Sequence, residues 1–389
     1  MKTLIYNVKT VSRHEPNPTW LVIDGGQVID SGSDAPAINA YDQAIDGGGK
    51  WLLPGFMDTH VHGSVGHDVM DATPDALYEM SKFFARHGVT AWTPTTLTHH
   101  HDALMAALIN IKQYMADQPP DGAQVIGARL EGPYLNVEKA GAQNPQYIRP
   151  PKPDEVTHLL DLDVIKILDV APEVEGADWL IKECARRGIV ASAAHTNATY
   201  EQMMHAHEIG LSHATHTFNA MSPLNHRAPG VVGAVLSTPT ISAEVISDFV
   251  HVHPAAVKIL AEVKKNRRMI SLITDAIRPA GMPEGEYAFD ERTVVHKDGA
   301  IRLTDGVTLA GSALTMNRAA DKYAKLVHEP QFRTRYPSTA LMSEAASDAP
   351  ARLLRLKMDT RADLILVDDD INVYMTIING RIVYRAEGI

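Results

Sequence analysis

From residue 54 onwards, short runs of apolar residues alternate with longer segments of helical character. Such short runs are typical of strands buried on both faces, and apolar residues three and four apart are typical of helices. The strand-like runs occupy residues 55–62, 89–95, 125–131, 164–170, 189–195, 213–218, 241–248 and 269–275. Helix candidates between them include 75–87, 179–187 and 200–209. Eight strand and helix pairs predict a (β/α)8, TIM-like barrel of the α/β class over residues 54–356.

The two ends of the chain have a different pattern, in which short strands are separated by tight turns. Residues 1–53 turn at Asp24-Gly25-Gly26, and the tail 362–384 turns at Asn379-Gly380. Two unrelated terminal extensions would give the same pattern. We favour one small β-sandwich domain formed from both chain termini, residues 1–53 and 357–389. After the barrel strands we expect a hairpin at 293–303 and then two helical stretches to about residue 356.

Composition narrows the classes of protein that fit this architecture. The chain of 389 residues has a net charge of −11, which argues against a nucleic-acid surface and favours a small-molecule partner. It contains no apolar run of the roughly 18 residues that a membrane-spanning helix needs, so we expect no membrane partner and a cytoplasmic location. Cys184 is the single cysteine, which excludes an intrachain disulfide and a thiolate metal cage. We expect it in the core of a helix.

Polar clusters fall at the carboxyl ends of the predicted strands, where barrel enzymes place their active sites. His60 and His62, two residues apart at the end of the first strand, point to one face and can hold one ion together. Glu131, His195 and Asp275 end the third, fifth and eighth strands. Each residue alone has an ordinary structural explanation, but chance does not readily place so many at one barrel mouth.

The sixth strand offers two histidines, His213 and His216. Strand alternation puts them on opposite faces, so we choose His216, which is nearer the carboxyl end. Imidazole and carboxylate ligands without thiolate suit Zn²⁺ or Fe²⁺ foremost, with Mn²⁺ or Co²⁺ as alternatives. Such an ion activates water and polarises a carbonyl, so the natural reaction is hydrolysis. The run His99-His100-His101 is interpreted as solvent-facing residues at a helix start.

A series of ordered motifs resembles the amidohydrolase superfamily and, within it, the N-acetylglucosamine-6-phosphate deacetylases. The motifs extend over nearly the whole chain, and those with Glu131 and His216 are the most specific to this branch. They are Pro54-Gly55-Phe56-Met57-Asp58-Thr59-His60-Val61-His62-Gly63, Leu130-Glu131-Gly132-Pro133-Tyr134, Gly141-Ala142-Gln143-Asn144-Pro145, His195-Thr196-Asn197-Ala198, His216-Thr217-Phe218-Asn219-Ala220-Met221, Thr274-Asp275-Ala276 and Leu309-Ala310-Gly311-Ser312.

The resemblance implies a metal-dependent deacetylation with one or two divalent ions per subunit. Glu131, His195 and His216 would hold the principal ion. His60 and His62 would hold a second ion, which Glu131 could bridge. The resemblance also implies that Asp275 takes a proton from water and hands it to the departing amine. The products would be acetate and a free amino sugar phosphate, as part of amino-sugar catabolism or recycling.

The resemblance also assigns the substrate-binding residues. His251, rather than nearby His253, would orient the substrate carbonyl, and Gln143 stands where some relatives carry histidine, so its role must be a neutral hydrogen bond. The phosphate would bind the backbone N–H groups of Asn219 and Ala220 and the guanidinium of Arg227. The remaining residues expected around the sugar are Ala142, Leu309, Ala310 and Gly311.

Alternatives to this interpretation stay open at this point. The closest is the same reaction on the N-acetylgalactosamine 6-phosphate epimer, followed by another cyclic-amide or sugar amidohydrolase. A non-enzymatic scaffold would be expected to have lost one or more ligands, yet none is missing. The resemblance further implies a homodimer.

Overall fold

The computed structural model describes residues 1–11, 17–264, 269–328, 338–357 and 360–387. Eight parallel strands pair side by side in the order in which they occur along the chain. Their bounds are Phe56–Val61, Val89–Thr96, Ala128–Leu130, Ile165–Val170, Val190–Ala193, His213–Ala214, Ser242–Ile246 and Ile270–Ile273. The last strand meets the first, because the Asp275 amide donates to the His60 carbonyl over 2.9 Å and Val61 bridges Ala276. The predicted barrel is confirmed; seven of its eight strands lie within a predicted run, and the second extends one residue beyond its run, to Thr96.

The helices follow the strands as the sequence pattern predicts. Thr73 caps the first helix by accepting from the Ala76 amide, and Gly188, at φ +73°, ends the helix that contains buried Cys184. The three helices predicted between the barrel strands are confirmed to within two residues at each end. The α-helices are Pro74–Arg86, His101–Ala116, Pro153–Leu160, Ala177–Arg187, Tyr200–Glu208, Gly230–Ser237, Pro254–Lys264, Met316–Val327, Ser338–Ser343 and Ala349–Leu353, with a π-helix at Glu344–Asp348 and 3-10 turns at Ile38–Ala40, Val69–Asp71, Val137–Lys139 and Pro145–Tyr147.

The apolar faces of these helices pack on the barrel strands in one continuous core. In the first helix Leu77, Met80 and Phe84, spaced three and four apart, are buried on one face. The Phe84 ring meets Trp92 of the second strand edge to face, with ring centroids 4.8 Å apart. Burial of each such large side chain stabilises the fold by about 1.5–3 kcal/mol. The core therefore holds the strand ends on a rigid frame.

A separate sheet of seven strands is built from both termini. Thr3–Thr10 pairs in parallel with Gln43–Pro54, which in turn pairs antiparallel with Leu364–Val367 from the far end of the chain. The prediction of one β domain assembled from both termini is confirmed, and the alternative of two unrelated extensions is wrong. In spatial order the strands are Arg381–Arg385, Val373–Ile378, Leu364–Val367, Gln43–Pro54, Thr3–Thr10, Trp20–Asp24 and Gln27–Gly32.

Two smaller sheets border the barrel mouth. The predicted hairpin is confirmed as Arg292–Lys297 and Ala300–Leu303, and Gly285–Phe289 adds a third strand that the sequence did not indicate. Most of this third strand is exposed, so it lacks the apolar run that marks the barrel strands. The second sheet pairs Gly63–Ser64 with His67–Asp68, directly after the first barrel strand.

Candidate active site

Six buried side chains converge at the carboxyl ends of the barrel strands. They form two groups of three, and within each group one potential ligand atom from every residue lies within 4.8 Å of the others. Buried imidazole and carboxylate groups this close together are the usual composition of a divalent metal site. The two groups are His60, His62 and Asp275, and Glu131, His195 and His216.

Glu131 lies between the two groups. Its Oε1 is 3.3 Å from His216 Nε2 and 3.4 Å from His195 Nε2. The same oxygen is 3.4 Å from His60 Nε2, and the other oxygen, Oε2, is 3.2 Å from His62 Nε2. One carboxylate therefore reaches both groups, as a ligand bridging two ions must.

The hydrogen bonds around the rings direct acceptor atoms toward this centre. His62 donates from Nδ1 to the Thr95 carbonyl over 3.1 Å, and His195 donates from Nδ1 to the Lys139 carbonyl over 2.8 Å. In the neutral ring this leaves the Nε2 lone pair free to face Glu131, whose buried Oε1 accepts no hydrogen bond. Converging lone pairs and a carboxylate are the donor set that a divalent cation requires.

Electrostatics favour positive charge at the same place. Burial disfavours a charged His62, yet hydrogen bonds to Asp275 and Glu131 outweigh burial and raise its pKa to about 9. Burial likewise opposes ionisation of Glu131, but His60 and the neighbouring imidazoles hold the pKa of Glu131 well below its usual range. Either protons on the imidazoles or a bound metal cation would neutralise the negative charge of Glu131 and Asp275.

Three of these residues have backbone angles that are uncommon for side chains larger than glycine. His195, His216 and Asp275 have φ angles of +42°, +28° and +50°. Each follows the end of a barrel strand, so the chain turns sharply where the side chain enters the mouth. Strain of this kind costs on the order of 1–3 kcal/mol per residue and clusters at functional sites.

Because the chain turns before His216, the choice of His216 over His213 by strand alternation was made for a wrong reason. The sixth strand ends at Ala214, so strand alternation does not extend to His216. Both side chains are buried inside the barrel, at different depths. His216 Nε2 lies 3.2 Å from His195 Nε2, whereas His213 Nε2 lies 2.9 Å from a carboxylate oxygen of Glu244.

A buried ionic layer lies beneath the candidate metal ligands. Arg129, fully buried, binds Asp169 through two hydrogen bonds of 2.7 and 3.0 Å and also forms an ion pair with Glu244. Burial opposes the charged form of Glu244, but Arg129 and His213 outweigh it and hold the pKa of Glu244 well below its usual range. Glu244 was not among the residues predicted from the sequence, although a lone acid inside an apolar strand is a usable signal.

A cavity of about 340 Å³ opens above the cluster, and most of the predicted substrate residues line it. Ala310 is fully buried and packs with Ile277 and Phe289, which do line the cavity. Arg227 is exposed and lines a second cavity, of about 370 Å³, with Asn197 and Thr199 among others. The predicted residues on the first cavity are His62, Glu131, Ala142, Gln143, His195, His216, Asn219, Ala220, His251, Asp275, Leu309 and Gly311.

Two polar residues on the wall have well-defined partners. Gln143 donates to Glu131 Oε2 over 2.6 Å and accepts from the Thr98 amide over 2.8 Å. The His251 ring contacts Asp248 through Nδ1 at 2.6 Å. Burial opposes a charged His251, but Asp248 outweighs it and raises the pKa of His251. Its neighbour His253 is exposed.

Part of the cavity wall was not predicted from the sequence. Lys139 and Phe289 both line it, the first from a 3-10 turn and the second from the unpredicted strand. For Lys139 the available signal was its place between the Glu131 and Gln143 motifs. His99 was also misjudged, because it is partly buried, 3.1 Å from Asp290 and stacked on Tyr147.

The barrel, its appended sheet and this cluster define a hydrolase architecture, and comparison with known proteins agrees. A profile described as Amidohydrolase family matches residues 51–383. The chain belongs to the amidohydrolase family. It is 36% identical to the N-acetylglucosamine-6-phosphate deacetylase of Vibrio furnissii, over 93% of this chain and 92% of that protein.

Two further similarities bear on the substrate. The chain is 36% identical to the N-acetylgalactosamine-6-phosphate deacetylase of Escherichia coli O157:H7, over 85% of this chain and 87% of that protein. It superposes with a TM-score of 0.89 on a mutant N-acetyl-D-glucosamine-6-phosphate deacetylase from Mycobacterium smegmatis in complex with N-acetyl-D-glucosamine-6-phosphate. That match has 29% identity and covers 98% of this chain and 99% of the other.

In the ranges described, no helix combines the length and apolarity needed to cross a bilayer.

Proposed function

We propose that the chain hydrolyses N-acetyl-D-glucosamine 6-phosphate to D-glucosamine 6-phosphate and acetate, using one or two divalent cations. The observation that carries this proposal is the position of Glu131 between two groups of potential ligands beneath a sugar-sized cavity. The near full-length similarity to deacetylases of this substrate supports it.

His60, His62, Glu131, His195 and His216 would hold the metal. When bound, a divalent cation supplies Lewis-acid polarisation of the amide carbonyl and activation of water. Zn²⁺ or Fe²⁺ fits the nitrogen and oxygen donors best. A bridging Glu131 would keep two ions close together.

Asp275 would move the proton. Burial opposes its ionisation, but His60 and His62 outweigh it and lower the pKa of Asp275, so it is a carboxylate at neutral pH. As a base it accepts a proton from the attacking water, and as an acid it returns that proton to the amine nitrogen as the C–N bond breaks. His251, held by Asp248, would donate a hydrogen bond toward the carbonyl oxygen.

The substrate phosphate needs positive charge and N–H donors. Asn219 and Ala220 line the cavity and would supply backbone N–H groups, with Arg227 as the cation. Lys139 lines the first cavity and Arg227 the second, so comparing Arg227→Ala with Lys139→Ala shows which of the two cations binds the phosphate.

The predicted domain boundaries, the homodimer and the cytoplasmic location form part of the same proposal.

A second candidate is the same reaction on N-acetyl-D-galactosamine 6-phosphate, which similarity to the Escherichia coli O157:H7 protein favours. The test measures acetate release from both epimers, each with and without the 6-phosphate. We expect the highest kcat/KM for the phosphorylated glucosamine epimer. A higher value for the galactosamine epimer would select the second candidate, and no acetate from any substrate would refute both.

A further inference from the structure

Glu244, on the seventh barrel strand, contacts both groups of candidate metal ligands from below. Its side chain is fully buried. One oxygen, Oε1, accepts from His213 Nε2 over 2.9 Å and pairs with Arg129. The other, Oε2, lies 3.2 Å from His60 Nδ1 and 3.2 Å from the backbone N–H of His216.

His60 differs from His62 and His195 in what holds its Nδ1 atom. In those two rings Nδ1 donates to a backbone carbonyl, which no substitution removes. In His60 the acceptor is the carboxylate of Glu244. A proton on Nδ1 leaves the Nε2 lone pair facing Glu131 and Asp275, where an ion would be held.

We propose that Glu244 is a positioning residue that fixes the ring of His60 and the backbone of His216 and thereby sets the metal affinity of the site. The metal dependence itself rests on the proposed function. Glu244 does not itself line the cavity and reaches it only through the two histidines. The ion pair with Arg129 holds the Glu244 carboxylate in place. Glu244 in turn orients His60, as carboxylates and backbone carbonyls orient ligand histidines in other metal sites.

Glu244→Gln is the informative substitution because every neighbour of this carboxylate is a donor. An amide has one oxygen and one NH₂ group, so the Gln side chain must place its NH₂ donor against a neighbouring group that is also a donor. The charge of Arg129 attracts the amide oxygen, which turns the NH₂ group toward His60 Nδ1 and the His216 N–H. His60 then shifts its proton to Nε2, where the proton blocks the ion.

Asp169→Asn is the matched control. Asp169 pairs with the same guanidinium of Arg129 and accepts from Thr215, but its recorded hydrogen bonds reach neither His60 nor His216. Both variants therefore remove one buried charge beside Arg129. Only Glu244→Gln removes the acceptor of His60.

The experiment titrates chelator-treated protein with Zn²⁺ in competition with a chromophoric chelator. We expect Glu244→Gln to weaken binding about 10- to 100-fold, and Asp169→Asn to stay close to the wild type. In ¹⁵N-histidine NMR spectra at saturating Zn²⁺, His60 should carry its proton on Nδ1 in the wild type and in Asp169→Asn, and should lose that proton in Glu244→Gln. Equal affinities in Glu244→Gln and the wild type, or equal weakening in both variants, would overturn the proposal.

If Glu244→Gln does not fold by circular dichroism, Glu244→Asp takes its place in both measurements. It keeps the charge beside Arg129 but is one methylene too short to hold both Arg129 and His60, so the same weakening is expected, and wild-type affinity again overturns the proposal. Neither measurement uses a substrate. Failure to release acetate would therefore count against the proposed function alone, whereas unchanged Zn²⁺ affinity would count against Glu244 alone.

Discussion

Replacing Asp275 by Asn tests the central chemical step with the least change of shape. Asp275 Oδ1 lies 3.3 Å from His62 Nε2 and 3.4 Å from His60 Nε2, and these imidazoles lower its pKa despite its burial. The base form therefore predominates at neutral pH, and the substitution removes the group that would accept the proton. General acid and base catalysis is worth about 10² to 10⁴ in rate, or about 3–5 kcal/mol of barrier.

The assay measures kcat, KM and metal content on the same sample of Asp275→Asn. We expect kcat to fall at least about 100-fold, with metal retained and KM little changed. Glu138→Gln is the matched control, because Glu138 lines the same cavity and its recorded hydrogen bond is to Asn197, away from the histidine cluster. If Asp275 acted only as a ligand, metal would be lost and excess metal would restore the rate. Near-normal kcat with metal bound would refute the proton-transfer role.

Three further predictions concern the metal, the phosphate and pH. Chelation should abolish acetate release, and a His60→Asn/His62→Asn double variant should bind fewer ions by elemental analysis; one ion per chain in both proteins, with equal activity, would exclude a second ion. Arg227→Ala should raise KM for the phosphorylated sugar much more than for the unphosphorylated sugar, and equal effects would assign Arg227 to structure. Burial lowers the pKa of His87 from 6.5 to about 4, so unfolding takes up a proton between these values and stability decreases as pH falls through this window. His87→Gln should flatten the decrease in urea titrations from pH 7 to pH 4, and an unchanged slope would contradict the assignment.

The barrel strands and the residues at their carboxyl ends were predictable because a single local rule, burial of parallel strands, determines them. Buried parallel strands read as apolar runs, and the carboxyl end of each run is a single point on the chain, so Glu131, His195 and Asp275 could be found together. His216 does lie in the cluster, but the strand alternation on which its choice relied does not reach it, because the backbone is left-handed there.

Other features depend on contacts that no local pattern carries. Phe289 reaches the cavity from a strand whose residues are mostly exposed, and its side chain is placed by packing against Ile277 and Ala310. The role of Glu244 arises from the meeting of four strands, so its neighbours are distant in sequence. The resemblance assigns Arg227 to the phosphate, but it does not determine which of the two cavities the loop of Arg227 joins.

The pairing of Gln43–Pro54 with Leu364–Val367 has a consequence for synthesis of the chain. The N-terminal strands leave the ribosome first, yet their partner is made only after the whole barrel. At roughly 5–20 residues per second, one edge of Gln43–Pro54 waits unpaired for on the order of tens of seconds. An open edge is a template for pairing with other chains. The nascent protein therefore passes through an interval in which its barrel is complete and its N-terminal sheet is still open to a neighbour.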